Sequence, residues 1–192
     1  MKIILDVKSI LDLSNDELFA NLSALNPSLR LEVNCFQQLI IAMGTKHKTG
    51  NTNARLIGRL DAWNEENELG EIFDSSTNFR MPITNSVFSP DLSWIENSRL
   101  EKIWDIEGYL KIAPDFVGEL RSDSDSLAEL KRKMEEYMEN GVRLGWLIDP
   151  KGEKIYIYRL QGENSEQSFD EKLVGEDVLP NLEIDMKKLI RK

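Results

Sequence analysis

Hydrophobic and polar positions along the chain form short alternating runs, interrupted by stretches of helical spacing. Leu29-Arg-Leu-Glu-Val33 and Gln38-Leu-Ile-Ile-Ala-Met43 read as two strands around a short turn, an N-terminal β-hairpin. Gly44 to Asn53 reads as a polar loop. Leu56, Ile57, Leu60 and Trp63 then recur on one face of a helix that ends near Gly70. Residues 71–95 are extended in pattern, broken by Pro82 and Pro90, and a short irregular or helical piece continues to Tyr109. Pro114 introduces Asp115-Phe-Val-Gly-Glu-Leu120, a run of strand length.

Two capping boxes mark further helix starts. Ser14-Asn-Asp-Glu17 predicts a short helix to about Asn21, ended by Asn26-Pro27. Ser126-Leu-Ala-Glu129 opens a second helix whose stripe is Leu127, Leu130, Met134 and Met138, closed by Gly141. Arg143-Leu-Gly-Trp-Leu-Ile148 turns at Asp149-Pro-Lys-Gly152 into Lys154-Ile-Tyr-Ile-Tyr158, the clearest hairpin in the chain. A short strand and a final helical turn follow Lys172. The expected architecture is α/β: a mixed sheet with a long helix on either side, residues 1–28 being a helical extension and 29–192 one domain.

Composition narrows the function. The 192 residues hold 24 Lys and Arg against 34 Asp and Glu, a formal charge of −10, which disfavours sequence-blind, charge-driven binding to nucleic acid. A single cysteine, Cys35, excludes disulfide scaffolds and thiolate-rich zinc sites, and a single histidine, His47, excludes multi-histidine metal sites. The apolar start is too short for a secretory signal, and no run is long enough to span a membrane. A soluble, cytoplasmic protein is expected.

Charge is unevenly spread. Residues 33–60 contain no acid and carry +4, from Lys46, Lys48, Arg55 and Arg59, so the remaining chain carries −14. That basic surface could accept phosphates, or be an ordinary solvated loop and helix start.

Glu119, inside Phe116-Val-Gly-Glu-Leu120, carries the chemistry. Alternation puts Val117, Glu119 and Arg121 on one strand face. A carboxylate there is costly unless paired or bound to metal, and Arg121 could supply a purely structural pair. In Ser89-Pro-Asp-Leu-Ser-Trp-Ile95, Asp91, Ser93 and Ile95 share a face, although an aspartate after proline is also a common turn residue. Two convergent carboxylates suit magnesium, and a nearby lysine could orient the attacking water. Lys131 and Lys133 flank the apolar stripe of the next helix from opposite sides, and helical geometry does not choose between them. Gly44-Thr-Lys-His-Lys-Thr-Gly50 lacks phosphate-loop spacing, and Asp123-Ser-Asp125 lacks the glycine and glutamate of a calcium loop.

These segments, taken in order, resemble a bacterial family classed with restriction endonucleases in the PD-(D/E)XK nuclease superfamily. The resemblance runs from about Leu29 to the C-terminus. It rests on Leu31-Glu-Val, Gln38-Leu-Ile-Ile, Gly50-Asn-Thr-Asn53, Phe73-Asp-Ser-Ser-Thr77 and Ser89-Pro-Asp91. Pro114-Asp-Phe-Val-Gly-Glu-Leu-Arg-Ser122, Lys133-Met-Glu-Glu-Tyr137, Asn140-Gly-Val142 and Gly145-Trp-Leu-Ile-Asp-Pro150 complete it. The resemblance implies a restriction-endonuclease-like core: a mixed central sheet flanked by helices, with the N-terminal hairpin. It implies that Asp91 and Glu119 hold Mg2+, with Mn2+ as a possible substitute, and that Glu32 is a further acid near the site.

The superfamily lysine two residues after the second acid is here Arg121, which stays protonated and cannot act as a general base. In the family a lysine of the following helix takes that role, and Lys133 is its match. The implied activity is magnesium-dependent hydrolysis of DNA phosphodiester bonds, by a homodimer on analogy with the fold; charge alone suggests Arg121, Lys46, Lys48, Arg55 and Arg59 as phosphate contacts. The competing expectation is a non-catalytic binding or scaffold protein on the same fold, with Glu119 paired to Arg121.

Overall fold

Strand-forming runs dominate the chain, and the longest helices cover the two faces of the largest sheet. The structure, a computed structural model, describes residues 2–42, 44–104 and 109–190. Its first half contains β1 (Lys2–Leu5), α1 (Asp16–Leu25), β2 (Arg30–Val33), β3 (Leu39–Ala42), α2 (His47–Asn67), β4 (Gly70–Asp74), β5 (Phe79–Arg80), β6 (Val87–Phe88) and β7 (Leu92–Glu96). The second half contains α3 (Asn97–Leu100), β8 (Phe116–Leu120), α4 (Leu127–Glu139), β9 (Leu144–Asp149), β10 (Lys154–Arg159), β11 (Ser165–Ser168), β12 (Lys172–Val174), β13 (Glu183–Asp185) and α5 (Met186–Leu189).

Six strands form the main sheet in the order β11-β10-β9-β8-β7-β4. β8 and β9 are parallel and the other neighbours antiparallel, so the sheet is mixed. Strand alternation sorts the core into two layers. Phe116, Leu120, Trp146 and Ile148 pack with Leu56, Leu60 and Trp63 of α2. Val117 and Leu147 pack on the other side with Leu130, Met134 and Tyr137 of α4. A long helix on either side of the central strands is thus observed, as the pattern predicts.

A second sheet, ordered β1-β3-β2-β6-β5, holds the expected β2–β3 hairpin. Leu31, Val33 and Leu39 pack with Phe19 of α1, which leaves Arg30 and Glu32, one step out of phase, for the opposite face. The segment before residue 29 contributes β1, paired with β3, as well as the helix.

Local differences from the sequence pattern have physical causes. α2 starts at His47 rather than after Asn53. No side chain caps that start, but Thr52 is buried and its hydroxyl bonds back to the Lys48 carbonyl at 3.0 Å, so packing overrides a polar, loop-like composition. α1 is capped by Asn15, which accepts from the Leu18 N–H at 3.1 Å, while the Ser14 hydroxyl donates to Asp12 instead. The Ser126 cap forms as expected, and Gly141 ends α4 at φ +95°, a conformation that favours glycine. Gly70 ends no helix; a Cβ there would lie 2.2 Å from the Ile95 carbonyl oxygen, so it permits close approach of β4 to β7. Met43, at the end of the expected second strand, and residues 105–108 of the expected irregular piece lie outside the described residues.

Candidate active site

β7 and β8 bring the two acids together. Leu92 faces Gly118 in the antiparallel register, so one further step places Asp91 opposite Glu119, with both side chains on the α4 face. The Asp91 carboxylate accepts from the Leu120 N–H at 2.9 Å, and the Asp91 carbonyl accepts from Asn53 Nδ2 of α2 at 3.2 Å. These bonds tie the segment before β7 to both β8 and α2. Asp91 and Glu119 line one cavity of about 350 Å³ together with Glu32, Arg30, Asn53 and Lys2.

α4 resolves the choice between its lysines. Lys133 Nζ lies 2.8 Å from Glu119 Oε1 and 2.9 Å from Glu32 Oε1, whereas Lys131 sits over the Tyr156 ring at 3.8 Å. One turn after Lys133, the Tyr137 hydroxyl donates to Glu119 Oε1 at 2.9 Å. Glu32 also accepts from the Ser89 N–H at 3.1 Å, which links the hairpin to the segment carrying Asp91. Arg30, two residues before Glu32 on the same strand face, reaches Asp91 at 3.4 Å and Glu32 at 3.5 Å and donates to the Ser89 carbonyl.

The charges are unequal in their environments. Burial works to raise the Glu32 pKa, but Lys133 and Arg30, aided by Lys2, bring it down to about 2. Burial raises Glu119; Lys133 opposes this, but Asp91 and Glu32 add to it, so its carboxyl ends above the usual range. Burial disfavours the Lys133 charge, yet Glu119 and Glu32 outweigh it, and the ammonium is held protonated. Burial, Glu119 and Glu32 together keep Tyr137 a neutral donor. The site therefore concentrates three carboxylates against two largely buried cations, and Glu119 bears the repulsion.

That donor set fits a hard cation. Asp91 and Glu119 offer carboxylate oxygens, and the upward pressure on Glu119 is what a divalent ion beside it would relieve. Asp91 Oδ1 meets Arg30 at a long 3.4 Å. Among the described residues no group of three or more His, Cys, Asp or Glu side chains forms a metal cage. Magnesium commonly uses one or two carboxylates, with waters and substrate oxygens completing its shell.

The basic residues are placed differently from expectation. Arg121 does not pair with Glu119: its N–H still bonds the Ile148 carbonyl at 2.9 Å, one step beyond the Leu120–Ile148 partners, and its NH1 lies 2.9 Å from the neighbouring Asp149 Oδ2. Arg55 is held by the carbonyls of Lys188, at 3.0 Å, and Leu189, so it caps the end of α5 rather than facing solvent. Lys46 forms an exposed pair with Asp123 at 3.1 Å. Lys48 and Arg59 are exposed on α2, and neither lines the acid-bearing cavity.

Arg30, Tyr137 and Asn53 are the site residues that sequence reasoning missed. Arg30 and Glu32 share the i, i+2 spacing of one strand face, and Lys133 and Tyr137 the i, i+4 spacing of one helix face, so both signals were present. Asn53 belongs to a segment that carries the resemblance, but its local pattern reads as loop and gives it no role. Among the described residues, Asn53 Oδ1 and Arg30 Nε are buried without hydrogen-bond partners.

A mixed sheet between two long helices, with a carboxylate pair at one strand pair and a buried lysine on the covering helix, defines a restriction-endonuclease-like α/β protein. Residues 16–187 match the profile of the Uma2 family, described as "Putative restriction endonuclease", and the chain belongs to that family. The fold is similar to the crystal structure of "a putative nuclease belonging to DUF820" from Anabaena variabilis, with a TM-score of 0.78 at 19% identity over 94% of this chain and 97% of that one. No curated protein matches the chain. Among the described residues no helix is long and apolar enough to cross a membrane.

Proposed function

We propose that the protein is a magnesium-dependent endonuclease that hydrolyses DNA phosphodiester bonds. The observation that carries this reading is the convergence of Asp91, Glu119 and Glu32, drawn from two sheets, on one cavity, with Lys133 of α4 bonded to two of them. Asp91 and Glu119 would hold the ion, which supplies positive charge to the phosphoryl group and makes water a better nucleophile. Manganese would substitute.

The protein's own groups position the reactants. Lys133 is protonated and so acts as a donor rather than a general base. Two of its three donors are committed to Glu32 and Glu119, which leaves one to orient the attacking water or a non-bridging phosphate oxygen. Glu32, ionised because of its lowered pKa, anchors Lys133. Tyr137 fixes Glu119 through its hydroxyl. Arg30 would offset phosphate charge at the same cavity.

Cutting a duplex requires a cleavage at each strand, and a homodimer would bring one site to each. A scaffold role with Glu119 held by Arg121 has less support, since Arg121 is engaged by Asp149. Incubation of the protein with circular plasmid DNA and millimolar Mg2+ or Mn2+ tests the activity. Breakage with either ion is expected, and intact plasmid with both would overturn it.

A further inference from the structure

A second and larger cavity of about 690 Å³ adjoins the acid-bearing one, and the two share Thr49 and Ser122 as walls. Its composition is the reverse. Lys46, Lys48, Arg121, Lys151 and Lys187 line it against Asp123 and Glu153, a net +3 with His47 neutral in a chain of −10. These cations come from four separate places: the start of α2, the loop after β8, the β9–β10 turn and α5. The sequence spreads them over more than 140 positions, so the basic run at residues 33–60 marks only Lys46 and Lys48 of the cleft.

We infer that this cleft is the track along which the DNA backbone leaves the Asp91–Glu119 cavity, with Lys151 and Lys187 as phosphate contacts. The inference rests on the nuclease reading for the identity of the polyanion. Several features favour phosphate over base contacts. Thr49 and Ser122 add hydroxyls to the walls, and Phe169 there is only 6% exposed and offers no stacking platform. Of the ion pairs within reach, Lys46 with Asp123 and Lys187 with Asp170 are solvent-exposed pairs that phosphate can replace, whereas Arg121 is held by the buried Asp149. A positive track beside a carboxylate site also reconciles the acidic chain with a polyanionic substrate, since local field rather than total charge steers the approach.

The cleft moves the phosphate-binding surface away from the outer face of α2, where Arg55 is engaged, towards the β9–β10 turn and α5. It reads backbone and not sequence, so binding here is expected to be strongly salt-dependent.

The test is equilibrium binding of a short fluorescently labelled DNA duplex across a NaCl series, in EDTA so that no cleavage intervenes. The K151Q/K187Q double variant is compared with wild type and with K102Q, an exposed lysine outside the cleft. Each phosphate contact contributes about −0.9 to the slope of log K against log salt, so the double variant's slope should be shallower by roughly 1.8 while K102Q keeps the wild-type slope. An unchanged slope in the double variant overturns the cleft, as does a wild-type protein that does not bind DNA. If the double variant loses slope but wild type cleaves nothing with Mg2+ or Mn2+, the cleft stands and the hydrolytic reading falls.

Discussion

The Lys133 ammonium lies 2.8 Å from the Glu119 carboxylate in a buried pocket, and the same ammonium reaches Glu32 at 2.9 Å. One cation on α4 therefore joins the central strand β8 to the hairpin strand β2. Removing it strands two buried carboxylates at once.

Lys133→Met keeps the stem and deletes the charge. Loss of one partner of a buried pair costs about 3–5 kcal/mol, which for a chain of this size lowers the midpoint by on the order of 10 °C. Calorimetry near neutral pH should show this drop, and the deficit should shrink as acid protonates the carboxylates. DNA cleavage should fall by roughly 10²–10³-fold, the range for a preorganised donor that stabilises developing charge. A variant with wild-type stability would show that the pair is not the link described.

Glu119→Gln should act in the opposite direction on stability. The folded-state pKa of Glu119 is raised, so its protonated form is favoured: that contribution is fully present below the ordinary carboxylate pKa and is lost as pH rises through the folded value. Wild type and variant should therefore melt alike in acid, with the variant the more stable near neutral pH. Stabilisation by added Mg2+ should disappear in the variant. A variant less stable than wild type at neutral pH would contradict the crowding of Glu119 by Asp91 and Glu32.

Arg30→Gln tests whether the guanidinium and the metal share Asp91. Without metal the variant should melt lower, because Glu32 and Asp91 lose a cation. The rise in midpoint on adding millimolar Mg2+ should exceed that of wild type, since Asp91 is no longer partly compensated. Equal or smaller rises would separate Arg30 from the metal site.

Arg55→Gln should destabilise without touching DNA affinity. Its two bonds to carbonyls at the end of α5 are charge-assisted, and their loss should cost about 1.5–3 kcal/mol in chemical denaturation. A changed salt dependence of DNA binding in this variant would return Arg55 to the phosphate-binding surface.

Much of this arrangement was legible in the residues. Strand alternation placed Glu119 and Asp91 on faces that do coincide, and the Ser126 cap with its apolar stripe set the helix that carries Lys133. What the chain could not disclose was which of two lysines on that helix turns inward, because this depends on where β10 and its Tyr156 lie. Arg121 was misread for a related reason. Alternation gives the face but not the neighbour, and the arginine pairs with Asp149 of β9 beside it, not with Glu119 two residues back on its own strand. The α2 start was hidden because its stability comes from burial of Thr52 and contacts to Asp91, not from a capping residue.

The most direct test of the central claim is the initial rate of plasmid cleavage as a function of Mg2+ concentration, for wild type and for Asp91→Asn. The wild-type rate should saturate with Mg2+ and vanish in EDTA. The variant, keeping shape but losing a charged ligand, should fall by at least about 10²-fold, because several kcal/mol of transition-state stabilisation depend on the ion. A variant that cleaves at the wild-type rate, or a wild-type rate indifferent to EDTA, would contradict a metal-dependent site at Asp91 and Glu119.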